Sequence, residues 1–186
     1  MAMTMGLLYV TVGIGLATTV ESGPPAGEKA PPMRVHVLTG DKQGKELDYT
    51  LIAKGKQFVC LFVRSGEFDR PMARYLKALD KRIGEQGADA VVVAVWIAGD
   101  QDKLQDYLPR VHQSLQLQRT VLCRPAGDAN TIEGWSLNDD ARLTAVVIER
   151  GKVVKSMGYI SVNETDVEEL LKGLDKGVGA DERRNH

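Results

Sequence analysis

From residue 33 onward the apolar positions change period along the chain, and each change marks an element. Phe58-Val59-Cys60-Leu61-Phe62-Val63 and Ala90-Val91-Val92-Val93-Ala94-Val95-Trp96-Ile97 are unbroken apolar runs. Runs of this length describe strands buried on both faces, the habit of parallel sheets. Between them Met72, Tyr75, Leu76, Leu79 and Ile83 recur at three- and four-residue intervals, which predicts a helix over 70–86. Leu104, Tyr107, Leu108 and Val111 predict a second helix, opened by Asp100 or Gln101 and running to about Gln113, with Pro109 placed to kink or shorten it. A short strand at 120–123 and an irregular stretch at 124–140 follow. Residues 144–148 and 152–157 form a hairpin across Glu149-Arg150-Gly151, where glycine accommodates a positive φ. Asn163 or Thr165 caps a last helix with the apolar face Val167, Leu170, Leu171 and Leu174, and Glu164, Asp166, Glu168 and Glu169 lie near its positive end. Upstream, Arg34-Val35-His36-Val37-Leu38 reads as a strand, 39–45 as a turn, and 46–53 as the return into the core.

The order β-α-β-α-β, then a hairpin and a terminal helix, gives an α/β domain of three layers. A mixed central β-sheet is flanked by helices, with an N-terminal β-hairpin extension. Right-handed crossovers place strands 58–63 and 90–97 side by side and parallel.

The chain before residue 33 has a different pattern. Met5 to Val20 carries no charge, and its length suits the apolar core of a signal segment better than a membrane span of roughly 20 apolar residues. No Lys or Arg precedes it and no clean small-x-small site follows it; Ala17 and Ser22 are the nearest cleavage candidates. Residues 1–22 are therefore expected to be a signal-like or anchor segment. Residues 23–32, rich in Pro and Gly, form an extended linker, 33–176 the folded domain, and 177–186 a disordered tail. This predicts an exported protein, periplasmic or extracellular; the alternative is a cytoplasmic protein with a misassigned start.

Charge narrows the function classes. The chain has 24 basic and 25 acidic residues in 186, a formal net charge of -1, without the clustered Lys and Arg of a nucleic-acid surface. Its three histidines are scattered, with no metal-ligand spacing, and no cofactor is expected. A membrane is a partner only through an uncleaved N-terminal segment. There are two cysteines, Cys60 and Cys123, and no Cys-x-x-Cys.

Several short segments, in order, resemble the thioredoxin-like superfamily, in particular its redoxin branch of alkyl hydroperoxide reductase/thiol-specific antioxidant and periplasmic reductase proteins. The resemblance runs from about Val35 to Leu174. Asp41-Lys42-Gln43-Gly44-Lys45 followed by Lys54-Gly55-Lys56 is similar to the family's approach to its first central strand. Phe62-Val63-Arg64-Ser65 is similar to that strand's end, and Ile148-Glu149-Arg150-Gly151-Lys152-Val153-Val154 with Gly158 to its closing hairpin. Pro71-Met72-Ala73-Arg74-Tyr75-Leu76-Lys77-Ala78-Leu79 resembles the segment that starts the family's active-site helix, with methionine at the second cysteine.

Where the family carries Cys-x-Pro-Cys, this chain carries Asp69-Arg70-Pro71-Met72. A helix N-terminus stabilises a thiolate, and it stabilises a carboxylate equally, but a carboxylate forms no disulfide. Asp is also a preferred N-cap, worth roughly 1 kcal/mol, and that is the expected role of Asp69. The resemblance further implies a cis-proline facing the cysteines, and Leu143 stands in its place. Cys60 and Cys123, on strands separated by a third, are expected roughly 10 Å apart and unpaired, since a disulfide needs Cα atoms within about 7 Å. Arg64, Ser65, Glu67, Arg70 and Arg74, with Trp135, Arg142 and Leu143 from the loop side, are the candidate binding residues, able to hold an anion or acidic peptide; a solvated charged face neutralised by Glu67 and Asp69 is the plainer reading. The expectation is a redox-inactive binding or scaffold module for a peptide or protein partner at the former active-site groove. The alternatives are a divergent thiol-dependent antioxidant or disulfide oxidoreductase using Cys123 or Cys60, and an enzyme of other chemistry using Asp69 with Arg70 or Arg74.

Overall fold

A computed structural model of the chain describes residues 18–53, 55–85, 90–127 and 129–172. In chain order these form β1 (Thr19–Val20), β2 (Arg34–Val37), β3 (Glu46–Asp48), α1 (Tyr49–Ile52), β4 (Gln57–Arg64), a 3-10 turn (Ser65–Glu67) and α2 (Arg70–Glu85). There follow β5 (Val91–Ile97), α3 (Gln101–Leu115), β6 (Thr120–Pro125), β7 (Leu143–Glu149), β8 (Lys152–Tyr159) and α4 (Asp166–Leu171). One mixed sheet has the order β1-β8-β7-β4-β5-β6-β2-β3. β4, β5 and β6 run parallel, and the remaining neighbours are antiparallel.

The unbroken apolar runs make sense in this sheet, because alternate residues of each strand feed two different cores. Val59, Leu61 and Val63 of β4, with Val92, Ala94 and Trp96 of β5, face a cluster shared with α2, α3 and α4. Phe58, Cys60 and Phe62, with Val93, Val95 and Ile97, face a second cluster covered by Tyr49 and Ala53 around α1, and by Ala30, Met33, Ile132 and Trp135. The sheet is thus flanked by helices as expected, but most of one flanking layer is irregular chain.

Asp80 occupies the inner face of α2 and is 6% exposed. Its carboxylate accepts from the backbone N–H of Gln118 (3.0 Å) and Arg119 (2.8 Å) and from the Thr120 hydroxyl (2.7 Å). These bonds fix the loop entering β6, and they compensate a buried charge that would otherwise be costly.

The structure departs from expectation in four places. Residues 23–32 are a packed strap, not a linker: Gly23 N–H donates to the Ser136 carbonyl (3.0 Å), Gly27 N–H to Val153 (2.8 Å) and Ala30 N–H to Gly151 (2.9 Å). Among the described residues the fold thus extends N-terminally past Met33 to Thr18, with β1 added to the edge of β8. The segment 46–53 is a short strand plus one helical turn capped by Asp48, whose carboxylate accepts the Thr50 N–H at 3.0 Å. Pro109 lies inside α3 without shortening it; the helix continues to Leu115 and ends at Gln116 in a left-handed conformation. α4 spans only Asp166–Leu171; Leu174 and the tail from 177 lie outside the described residues.

Candidate functional site

β4 delivers the chain to one end of the sheet, where the 3-10 turn redirects it into α2. Asp69 precedes the helix and caps it, its Oδ1 accepting the Met72 N–H at 3.0 Å and its carbonyl the Ala73 N–H at 2.9 Å. Pro71 sits in the first turn, where its missing N–H would have no helical partner. Met72 is buried beneath that turn. The helix thus starts with an acid at its capping position.

Arg142, immediately before β7, reaches across to this turn. Its Nε donates to Glu67 Oε2 at 2.8 Å, and its Nη2 to the Glu67 carbonyl at 2.8 Å and to Asp69 Oδ2 at 3.0 Å. One guanidinium thus bridges the two acids and the backbone of the turn. Both Asp69 oxygens are engaged, one by the helix and one by Arg142. The groups are half-exposed, so the clamp is worth far less than a buried pair.

The other candidate residues divide between this end of the sheet and elsewhere. Arg64 is held by the loop before β7: its Nε donates to the Ala141 carbonyl (3.0 Å), its Nη2 to Asp139 Oδ1 (2.7 Å), and its backbone N–H to the Arg142 carbonyl (3.1 Å). Ser65 donates its hydroxyl to the Ile97 carbonyl at 2.9 Å, joining the end of β4 to that of β5. Gly99 is needed beside it, since a Cβ there would lie 2.2 Å from Ser65 Oγ. Arg74 pairs with Glu164 at 3.5 Å. Arg70, in the first turn of α2, is exposed and has no side-chain partner among the described residues. With Ala73, Arg74, Lys77 and Leu115 it lines a shallow groove of about 380 Å³ on the outer face of α2.

Two candidates are not at the site. Trp135 is 0% exposed on the far face of the sheet, its ring 4.9 Å from Phe62 and its Nε1–H donating to the Pro32 carbonyl at 3.1 Å. Leu143 is 1% exposed, paired in β7 between Val63 and Tyr159, and contributes to the core beneath α2. Its side chain is committed to packing and cannot line a groove. Conversely, sequence reasoning missed Asn138, Asp139 and Ala141, the loop that grips Arg64. The turn-forming Asn138-Asp139-Asp140 was the available signal.

The two thiols are also remote from α2. Cys60 pairs with Val93 and Cys123 with Val95, so β5 separates them and they are free. Both belong to the cluster on the face away from α2. Cys60 is 0% exposed, its Sγ 3.5 Å from Met33 Sδ, and burial pushes its pKa well up. Burial does the same to Cys123. Burial thus disfavours the thiolate form of both. Among the described residues no group of three or more His, Cys, Asp or Glu side chains is placed to hold a metal ion, and no helix is long and apolar enough to cross a membrane.

No family model matches the chain, and no curated protein matches it. Solved structures do. An exposed lipoprotein thioredoxin from Streptococcus pneumoniae superposes with a TM-score of 0.57 at 17% identity, over 78% of this chain and 99% of that one. A DsbF homologue from Corynebacterium diphtheriae gives 0.58 at 15% identity over 90% and 99% of the two chains. A peroxiredoxin-like protein from Aquifex aeolicus gives 0.52 at 18% identity over 83% and 92%. The fold is therefore thioredoxin-like, as the sequence resemblance implied; at these identities the similarity establishes the fold alone.

Proposed function

We propose that this protein is an exported, redox-inactive thioredoxin-fold module that binds a peptide or protein partner at the α2 end of its sheet. The observation carrying this reading is Asp69 at the start of α2, capping the helix and clamped by Arg142 where exchange chemistry would need a thiolate. The burial of Cys60 and Cys123 on the opposite face weighs against an oxidoreductase that uses either of them. Asp69 as a catalytic acid is disfavoured because both its oxygens are already engaged.

Arg64, Arg74 and Arg142 are neutralised by acidic neighbours, which leaves Arg70 and Lys77 as the cations of the α2 groove without acidic partners among the described residues. An extended acidic segment suits that ridge by charge complementarity. Titration of a fluorescent glutamate-rich decapeptide tests it. Saturable binding weakened at least fivefold by Arg70→Glu with Lys77→Glu is expected. Binding indifferent to the double substitution contradicts the placement. Export rests on the uncharged apolar run that begins at Met5, whose last residues Thr19 and Val20 are taken into β1, and is read from the compartment in which the full chain accumulates.

A further inference from the structure

We propose that the cavity bordered by α1, the 39–45 turn and the first residues of β4, β5 and β6 binds a small apolar carboxylate. Its volume is about 280 Å³, and Tyr49, Ile52, Ala53, Val91 and Val121 give it an apolar lining. It lies where the parallel strands begin, on the face of the sheet away from α2, and so is separate from the groove assigned to a peptide partner. The turns beside it are held by backbone bonds: Gln43 N–H donates to the Gly40 carbonyl at 3.0 Å and Lys56 N–H to the Ala53 carbonyl at 2.8 Å. Val91 is half-buried although residues 92–97 of its strand are buried, and Val121 is half-buried between buried Thr120 and Leu122. The cavity therefore reaches the sheet itself.

Tyr49 points to the class of ligand. It is 5% exposed, and its hydroxyl makes no hydrogen bond to any described residue. A buried hydroxyl without a partner costs about 1–3 kcal/mol, which an acceptor oxygen on a ligand in this cavity recovers. Burial raises the pKa of the phenol, so it keeps its proton and acts as a donor. Lys42, exposed at the cavity, has no ionic partner among the described residues. Lys56 is a second cation in the lining and Asp41 the one acid among the described residues, so the charge there favours an anion. Ile52, Ala53, Val91 and Val121 suit a hydrocarbon body. The volume lies near the small end of the roughly 300–1,000 Å³ typical of small-molecule sites, which limits that body to one or two rings. An extended peptide fits poorly, because β4, β5 and β6 are interior strands with no free edge to pair with.

The test is titration of the full chain with naphthoate, followed by calorimetry and by amide chemical shifts. Saturation below about 1 mM is expected, with shifts centred on residues 41–57, 91 and 121. Tyr49→Phe should weaken binding roughly threefold or more without lowering the thermal midpoint, since the lost hydroxyl bonds nothing in the fold. Lys42→Glu, at an exposed position, should weaken it about fivefold or more. No saturation, shifts centred elsewhere, or an affinity indifferent to both substitutions overturns the site. Equal or tighter binding of naphthylmethylammonium, a cation of similar shape, overturns the assignment to a carboxylate.

Discussion

Replacing Asp69 separates the two roles that the structure gives it. Its Oδ1 caps α2 through the Met72 N–H, and its Oδ2 meets Arg142 at 3.0 Å. Loss of an N-cap costs about 1 kcal/mol. Loss of a half-exposed ion pair costs about 0.5 kcal/mol, because solvent screens it. Arg142 keeps Glu67 as a partner, so no buried charge is left alone. Asp69→Ala should therefore destabilise by about 1.5 kcal/mol, and at roughly 2–4 °C per kcal/mol for a chain of this size the midpoint falls by about 3–6 °C. Asp69→Asn keeps an oxygen acceptor for the Met72 N–H and loses only the charge, about 0.5 kcal/mol or roughly 1–2 °C. Thermal unfolding followed by far-UV circular dichroism measures both variants. Equal losses for Asn and Ala would refute the assignment, because the charge pair rather than the cap would then be holding the turn.

Three further outcomes follow from the same contacts. Asp80→Ala strips the acceptor from Gln118, Arg119 and Thr120 in the core, and urea unfolding should show a loss of about 3 kcal/mol; a loss under 1 kcal/mol would mean that the loop before β6 is held by something else. The double variant Asp69→Cys with Met72→Cys puts thiols on an intact helix start, and alkylation against pH should give the residue-69 thiol a pKa below the free value of about 8.5; a value at or above it would show that the α2 N-terminus no longer favours an anion. Alkali should destabilise the fold. Burial raises the pKa of Cys60 and Cys123 above that of a free thiol and that of Tyr75 above that of a free phenol, so above about pH 9 the unfolded chain loses protons that the folded chain keeps. This stability is complete below pH 9 and should fall by up to about 3 kcal/mol by pH 10; a urea midpoint unchanged from pH 8 to pH 10 would contradict the burial of these groups.

What the sequence revealed of the fold follows from where the stabilising contacts lie. β4, β5, α2 and the β7–β8 hairpin were legible because each is held by its own apolar pattern, and the structure matches the expected bounds to within a residue or two. The strap 18–32 was not legible, because it is held by backbone bonds to Ser136, Gly151 and Val153, groups that every residue type carries. Trp135 was misplaced for a related reason. It sits in an irregular stretch, and only the contacts with Phe62 and the Pro32 carbonyl decide which face it covers. Asp69 was read correctly as a cap because capping is local. Its clamp by Arg142 joins residues 73 positions apart and needed the sheet to bring them together. Leu143 looked available at the site, but β-pairing on both sides of it commits it to the core.

The most direct test of the central claim, that this thioredoxin-like fold has no exchange-competent thiol, is disulfide reduction of insulin by the purified chain with dithiothreitol, beside an active thioredoxin. With Asp69 in the thiolate position and both cysteines buried, the rate should equal that of dithiothreitol alone. A rate comparable to the active thioredoxin, abolished by Cys60→Ala or Cys123→Ala, would contradict it.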